Sequence, residues 1–139
     1  MDSLKLVPPF TLILAGPSGS GKSQFVKKLI ENKMIKPFLK KLVWCYGVYQ
    51  TLYEEMTNIS FHEGIPSNLH QYLDALIVID DLMGELGIDS QLTKVLVKFS
   101  HHRTLSIIFV AQNIFHKGKE FREISLKAHN LVLFKNRRD

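Results

Sequence analysis

Lys22 is the first residue whose surroundings suggest chemistry. It lies in Gly16-Pro17-Ser18-Gly19-Ser20-Gly21-Lys22-Ser23, which matches G-x-x-x-x-G-K-[ST]. Thr11 to Ala15 reads as a buried strand, and Lys22 to Lys33 reads as a helix. A chain turning this tightly from strand into helix presents successive backbone N–H groups at a helix N-terminus, which is an anion site. Lys22 would then reach the β- and γ-phosphates of a nucleotide, and the Ser23 hydroxyl would ligate Mg2+. Gly16, Gly19 and Gly21 allow close approach and positive φ; Pro17, Ser18 and Ser20 complete the loop. The plainer alternative is a Gly/Ser-rich turn with a surface lysine.

Two more stretches carry polar groups at the ends of apolar runs. In "ALIVIDDLM", Ala75 to Met83, five apolar residues lead into Asp80-Asp81. Adjacent acids at the end of a buried strand repel each other and are costly without a cation. With Mg2+ nearby, Asp80 would hold the ion, commonly through water, and Asp81 would polarise the attacking water. In "SIIFVAQN", Gln112 leaves another strand. If that strand lies between the first and the third, the amide points at the γ-phosphate and can orient water. Taken alone, each stretch also reads as a strand ending in a polar turn.

These groups need a scaffold that brings them to one edge. Apolar runs suit strands at Thr11–Ala15, Leu42–Tyr46, Ala75–Asp80, Leu105–Ala111 and Asn130–Phe134. Helical patterns lie between them. Phe25, Val26, Leu29 and Ile30 form one apolar face, and Leu92, Val95, Leu96 and Phe99 form another within Ser90–His101. Tyr49–Met56, Leu69–Asp74 and Glu120–His129 read as shorter helical pieces. Such alternation implies βαβ units and a parallel sheet covered on both faces, with ligands beyond the carboxyl ends of the strands. Gly16–Ser23, Gly47, Asp80-Asp81, Gln112-Asn113 and Lys135 with Arg137-Arg138 then face a common site. The expected fold is α/β with a mainly parallel five-stranded sheet; the phosphate-loop motif resembles that of P-loop NTPases, and the order 5-1-4-3-2 is what that resemblance implies. The whole chain, residues 1–139, reads as one domain.

Composition narrows the classes. Of 139 residues, 45% are hydrophobic and 22% charged, enough for one ordinary core. No apolar run reaches 18 residues, so no transmembrane helix is expected, and Met1 to Pro9 does not read as a signal peptide. The single cysteine, Cys45, sits among apolar residues. One cysteine forms no internal disulfide, fits a reducing compartment and argues against a zinc site. The net charge of +5 suggests a polyanionic partner. Its basic groups are spread over Lys27-Lys28, Lys40-Lys41, Lys117, Lys119, Arg122, Lys135 and Arg137-Arg138, which solvated helix faces explain equally well.

GPSGSGKS, LIVIDD, a helix ending in SHHR, FVAQN and ISLKAHNLVLFKNRRD together resemble the genome-packaging ATPases of the FtsK–HerA superfamily. The likeness is greatest to those of large DNA viruses and of virus-like Polinton (Maverick) elements. It runs from about Pro9 to Asp139. The first two motifs are shared by very many NTPases, and the stretch from His101 to Asp139 carries the narrower resemblance. It implies an ATP- and Mg2+-dependent motor that moves double-stranded DNA into a capsid. Such motors work as homo-oligomeric rings alongside capsid or portal-vertex proteins. The implied location is intracellular, in host nucleus or cytoplasm, or in association with the virion. Lys22 and Ser23 then carry the phosphate-loop roles, Asp80 the metal role and Gln112 the sensor role. Two departures stand out. Many members have Asp-Glu where this chain has Asp80-Asp81, which makes Glu85 a substitute candidate for activating water. Relatives also normally continue beyond the equivalent of Asp139.

Arg103 precedes the fourth strand, at the amino edge of the sheet. A strand of about five residues spans roughly 17 Å, so Arg103 would reach a neighbour's ATP across a subunit interface rather than its own. Arginine fingers supplied in this way contribute about 10³–10⁵-fold in rate. The alternative is electrostatic: His101, His102 and Arg103 all complement a helix C-terminus. A nucleotide kinase is an enzymatic rival, but its arginine-rich acceptor segment is missing, since Arg103 is the first arginine of the chain. A helicase or DNA-loading ATPase would share every motif, and a non-hydrolysing ATP-binding module also fits the phosphate loop.

Overall fold

The structure is a computed structural model that describes residues 6–82, 105–112 and 130–134. Its centre is a six-stranded sheet: β1 (Thr11–Ala15), β2 (Lys41–Tyr46), β3 (Ser60–Glu63), β4 (Ala75–Asp80), β5 (Ser106–Ala111) and β6 (Asn130–Leu133). The spatial order is β3-β2-β4-β5-β1-β6, and every pairing is parallel. The five expected strands are present in the expected relative order. The correction is β3, a sixth strand on the far side of β2. Its sequence, SFHE, has no apolar run, and as an edge strand it stays partly exposed.

Continuous apolarity in the central strands is explained by burial on both faces. All residues of β1, β4 and β5 are buried. Alternation then divides them. Leu12, Leu14, Trp44, Leu76, Val78, Ile108 and Val110 pack with Val26 and Leu29 on one face. Ile13, Val43, Cys45, Ile77, Ile79, Ile107 and Phe109 pack with Leu69 and Leu105 on the other.

The helix α1 (Lys22–Glu31) follows β1 and covers the first face. Full burial of an apolar side chain such as Val26 or Leu29 stabilises the fold by roughly 1.5–3 kcal/mol. The helix stops two residues short of Lys33, because Lys33 takes a left-handed φ of 53°. The Met34 amide then closes back on the Leu29 carbonyl at 3.0 Å. The expected short helical pieces are single 3-10 turns at Thr51–Glu55 and Leu69–Gln71. The expected helices over 90–101 and 120–129 lie outside the described residues. No helix among the described residues is long and apolar enough to cross a membrane.

Candidate functional site

The turn from β1 into α1 is built by its glycines in two different ways. Gly19 and Gly21 have φ of +78° and +97°, a region that L side chains rarely adopt. Gly16 is needed for space: a Cβ there would lie 2.6 Å from the Phe134 carbonyl oxygen and 2.7 Å from its Cβ. The close approach at Gly16 is therefore to the end of β6 rather than to a ligand. No side chain caps α1, and its first backbone bond runs from the Phe25 amide to the Gly21 carbonyl at 2.9 Å. The first-turn amides are left without an intrahelical acceptor, as a bound anion requires.

Lys22 is 7% exposed and donates from Nζ to the carbonyls of Gly16 and Pro17, the latter at 3.3 Å. Burial lowers its pKa, opposed by the Asp81 and Asp80 carboxylates. The two carboxylates thus favour the charged form of this ammonium, which is the form that binds a phosphate. Ser20 Oγ is buried and has no hydrogen-bond partner among the described residues.

Asp80 ends β4 on the face that α1 covers, in phase with Leu76 and Val78. It is 2% exposed and accepts a 2.9 Å hydrogen bond from Ser23 Oγ. Burial pushes its pKa up, while donors from Tyr53, Ser23 and Trp44 hold it down. Asp81 breaks the strand with a left-handed φ of 57°, and its amide donates to the Val110 carbonyl at 2.9 Å. The left-handed turn ends the strand's alternation between the two acids, so their side chains are free to do different work.

These groups share one cleft of about 630 Å³. Its walls include Ser18, Gly19 and Gly21–Gln24 from the loop and α1, Asp80 at the end of β4 with Asp81 just after it, and Gln112 beyond β5. Gln112 is exposed there, as the position of β5 between β1 and β4 requires. Val48, Gln50 and Leu52, from the segment after β2, line it too. Sequence reasoning placed only Gly47 there; Gly47 instead packs against the turn at Asp81, with its amide on the Asp80 carbonyl at 3.2 Å. Gly16, Pro17 and Ser20 shape the loop from behind rather than lining the cleft. Arg103, Glu85, Lys117, Lys119, Arg122, Lys135, Arg137 and Arg138 lie outside the described residues.

The donor set suits Mg2+ beside a phosphate. Ser23, giving its proton to Asp80, keeps oxygen lone pairs for a cation. No group of three His, Cys, Asp or Glu side chains able to hold a metal occurs among the described residues. Mg2+ is commonly held in this way, by one or two protein oxygens plus phosphate and water.

No protein-family model matches the chain, and no curated protein matches it by sequence. Solved structures do. The flagellar accessory protein FlaH from Methanocaldococcus jannaschii aligns at TM-score 0.62 and 11% identity, over 92% of this chain and 72% of that one. The genome packaging NTPase B204 from Sulfolobus turreted icosahedral virus 2, in complex with ATP-gammaS, aligns at 0.58 and 15%, over 93% and 76%. A KaiC-like protein from Pyrococcus horikoshii OT3 aligns at 0.53 and 16%, over 92% and 73%. The chain therefore has the P-loop NTPase fold.

Proposed function

We propose that this chain is a Mg2+-dependent ATP hydrolase that drives movement of double-stranded DNA, in the manner of viral genome-packaging ATPases. The observation that carries the reading is one cleft holding an uncapped helix N-terminus, Lys22, the Ser23–Asp80 pair, Asp81 and Gln112. Lys22 leaves its loop carbonyls for the β- and γ-phosphates of ATP. Ser23 and Asp80 would hold Mg2+, which would supply charge neutralisation on the phosphates. Asp81 orients and polarises the attacking water, and Gln112 bonds to that water or to the γ-phosphate. Water adds to the γ-phosphorus as its bond to the β-phosphate oxygen breaks, giving ADP and phosphate.

The DNA half of the proposal draws on the FtsK–HerA resemblance, the net charge of +5 and the structural likeness to B204. A ring of identical subunits, with Arg103 serving the neighbour's ATP, completes the reading. The test is the ATPase rate with and without double-stranded DNA, alongside the oligomeric mass. DNA-stimulated hydrolysis by an assembly supports the proposal. Stimulation by a nucleoside monophosphate instead of DNA replaces it with a kinase, and binding without turnover replaces it with an ATP-binding module.

A further inference from the structure

Asp80 is gripped by more of the chain than its own motif. Its Oδ2 accepts from Tyr53 Oη at 2.8 Å, Ser23 Oγ at 2.9 Å, Trp44 Nε1 at 3.2 Å and Gln50 Nε2 at 3.3 Å. A carboxylate has about four lone-pair sites across two oxygens. Protein donors therefore saturate this one oxygen. The donors are themselves locked. Trp44 is 0% and Tyr53 3% exposed, with ring centroids 5.4 Å apart. Phe61 stacks on Tyr53 at 4.9 Å. An indole N–H only donates, so Trp44 has no alternative bonding role. Gln50 stands between this cluster and the cleft. It lines the cleft wall, and its Nε2 is also 3.3 Å from Tyr53 Oη.

We propose that Trp44, Gln50 and Tyr53 are positioning residues for Asp80. They immobilise one carboxylate oxygen so that Asp80 and Ser23 keep a fixed orientation toward the cation that accompanies the nucleotide. The proposal rests on the reading of the cleft as a Mg2+–nucleotide site. The segment from β2 through the turn at Thr51–Glu55 thus becomes part of the site, although it supplies no ligand.

The test measures Mn2+ affinity in the presence of ATP by electron paramagnetic resonance, and ATP affinity in EDTA, on the full chain. Partners that orient metal ligands typically contribute 10- to 100-fold in metal affinity. Tyr53→Phe removes the shortest donor and keeps the ring, so Mn2+ should bind about tenfold more weakly, with ATP affinity in EDTA within about twofold of the parent. Gln50→Leu, at the cleft wall, should act in the same direction by less, and it decides the matter alone if Tyr53→Phe does not fold. Phe61→Leu loosens the ring stack without touching Asp80. It should lower the thermal midpoint and weaken Mn2+ binding by less than Tyr53→Phe does. Unchanged Mn2+ affinity in the tyrosine and glutamine variants overturns the proposal, as does an equal loss in Phe61→Leu. A parent chain that binds ATP neither with Mg2+ nor in EDTA overturns the nucleotide reading itself.

Discussion

Asp80 and Asp81 are adjacent, yet their surroundings divide them. Asp80 is buried under four donors, whereas Asp81 turns in a left-handed conformation at the cleft wall. Asp80→Asn should weaken Mg2+-dependent ATP binding, because metal ligation acts on the ground state. Asp81→Asn should leave binding intact and slow hydrolysis, because water activation acts mainly in the transition state. Calorimetry and single-turnover rates separate the two. The same residue makes a stability prediction. Burial raises the Asp80 pKa above its unfolded value, so its ionised form disfavours the fold. That group stabilises the fold below its unfolded pKa, and the contribution is lost as pH rises through the folded one. The nucleotide-free Asp80→Asn variant should therefore melt no lower than the parent at neutral pH. Its relative advantage should shrink on acidification through the folded pKa. Thermal melts across pH check this, and an advantage that grows on acidification would contradict it.

At the scale of elements, the loop depends on the strand beside it. The Phe134 amide donates to the Ala15 carbonyl at 2.7 Å, and the Phe134 backbone fills the space a side chain at Gly16 would need. Phe134 also meets Phe25 of α1 edge-on, with ring centroids 5.6 Å apart. Strand, loop and helix are thus locked where β6 ends. Gly16→Ala forces backbone apart and should destabilise the fold by about 1–3 kcal/mol. ATP affinity should fall with it, since the loop is displaced. Chemical denaturation and nucleotide titration of the same preparation test both effects. Wild-type stability would mean that the end of β6 yields freely.

For the whole molecule, the sheet sets the reach of each group. Strand β5 carries Gln112 from its carboxyl end into the cleft, and it begins at Ser106, six residues and about 20 Å away. Arg103 lies three residues before that start. If it serves a neighbour, Arg103→Ala subunits should bind ATP normally and lack turnover. Mixed with Lys22→Ala subunits, they should regain activity, because an intact Lys22 site can then meet an intact Arg103. Full DNA-stimulated activity in a monomeric preparation would remove the finger. DNA binding itself should be non-specific and weaken steeply with salt, since phosphate neutralisation releases counterions. Filter binding across a salt series measures the slope, and salt-insensitive binding would argue against a translocating motor.

The glycine-rich turn into α1 and the central strands were readable in the sequence because each is a local pattern. The glycine-lysine spacing is contiguous, and β1 and β4 coincide with their apolar runs because both faces of those strands are buried. The order of the five strands came from the likeness of the motifs to ATP-hydrolysing P-loop folds, not from any local pattern in the strands themselves. The edge strand Ser60–Glu63 was not legible, since a half-exposed strand needs no apolar run. The grip on Asp80 was not legible either. Trp44, Gln50 and Tyr53 stand 36, 30 and 27 residues away in the chain, a separation with no periodic signature. Only the parallel register that sets Tyr46 beside Asp80, followed by the turn at Thr51–Glu55, brings them to one oxygen. Sequence determines what each segment can be when its chemistry is local. The convergence of distant donors on a buried charge is decided by the pairing of strands, because only in the assembled sheet does that charge leave water and need them.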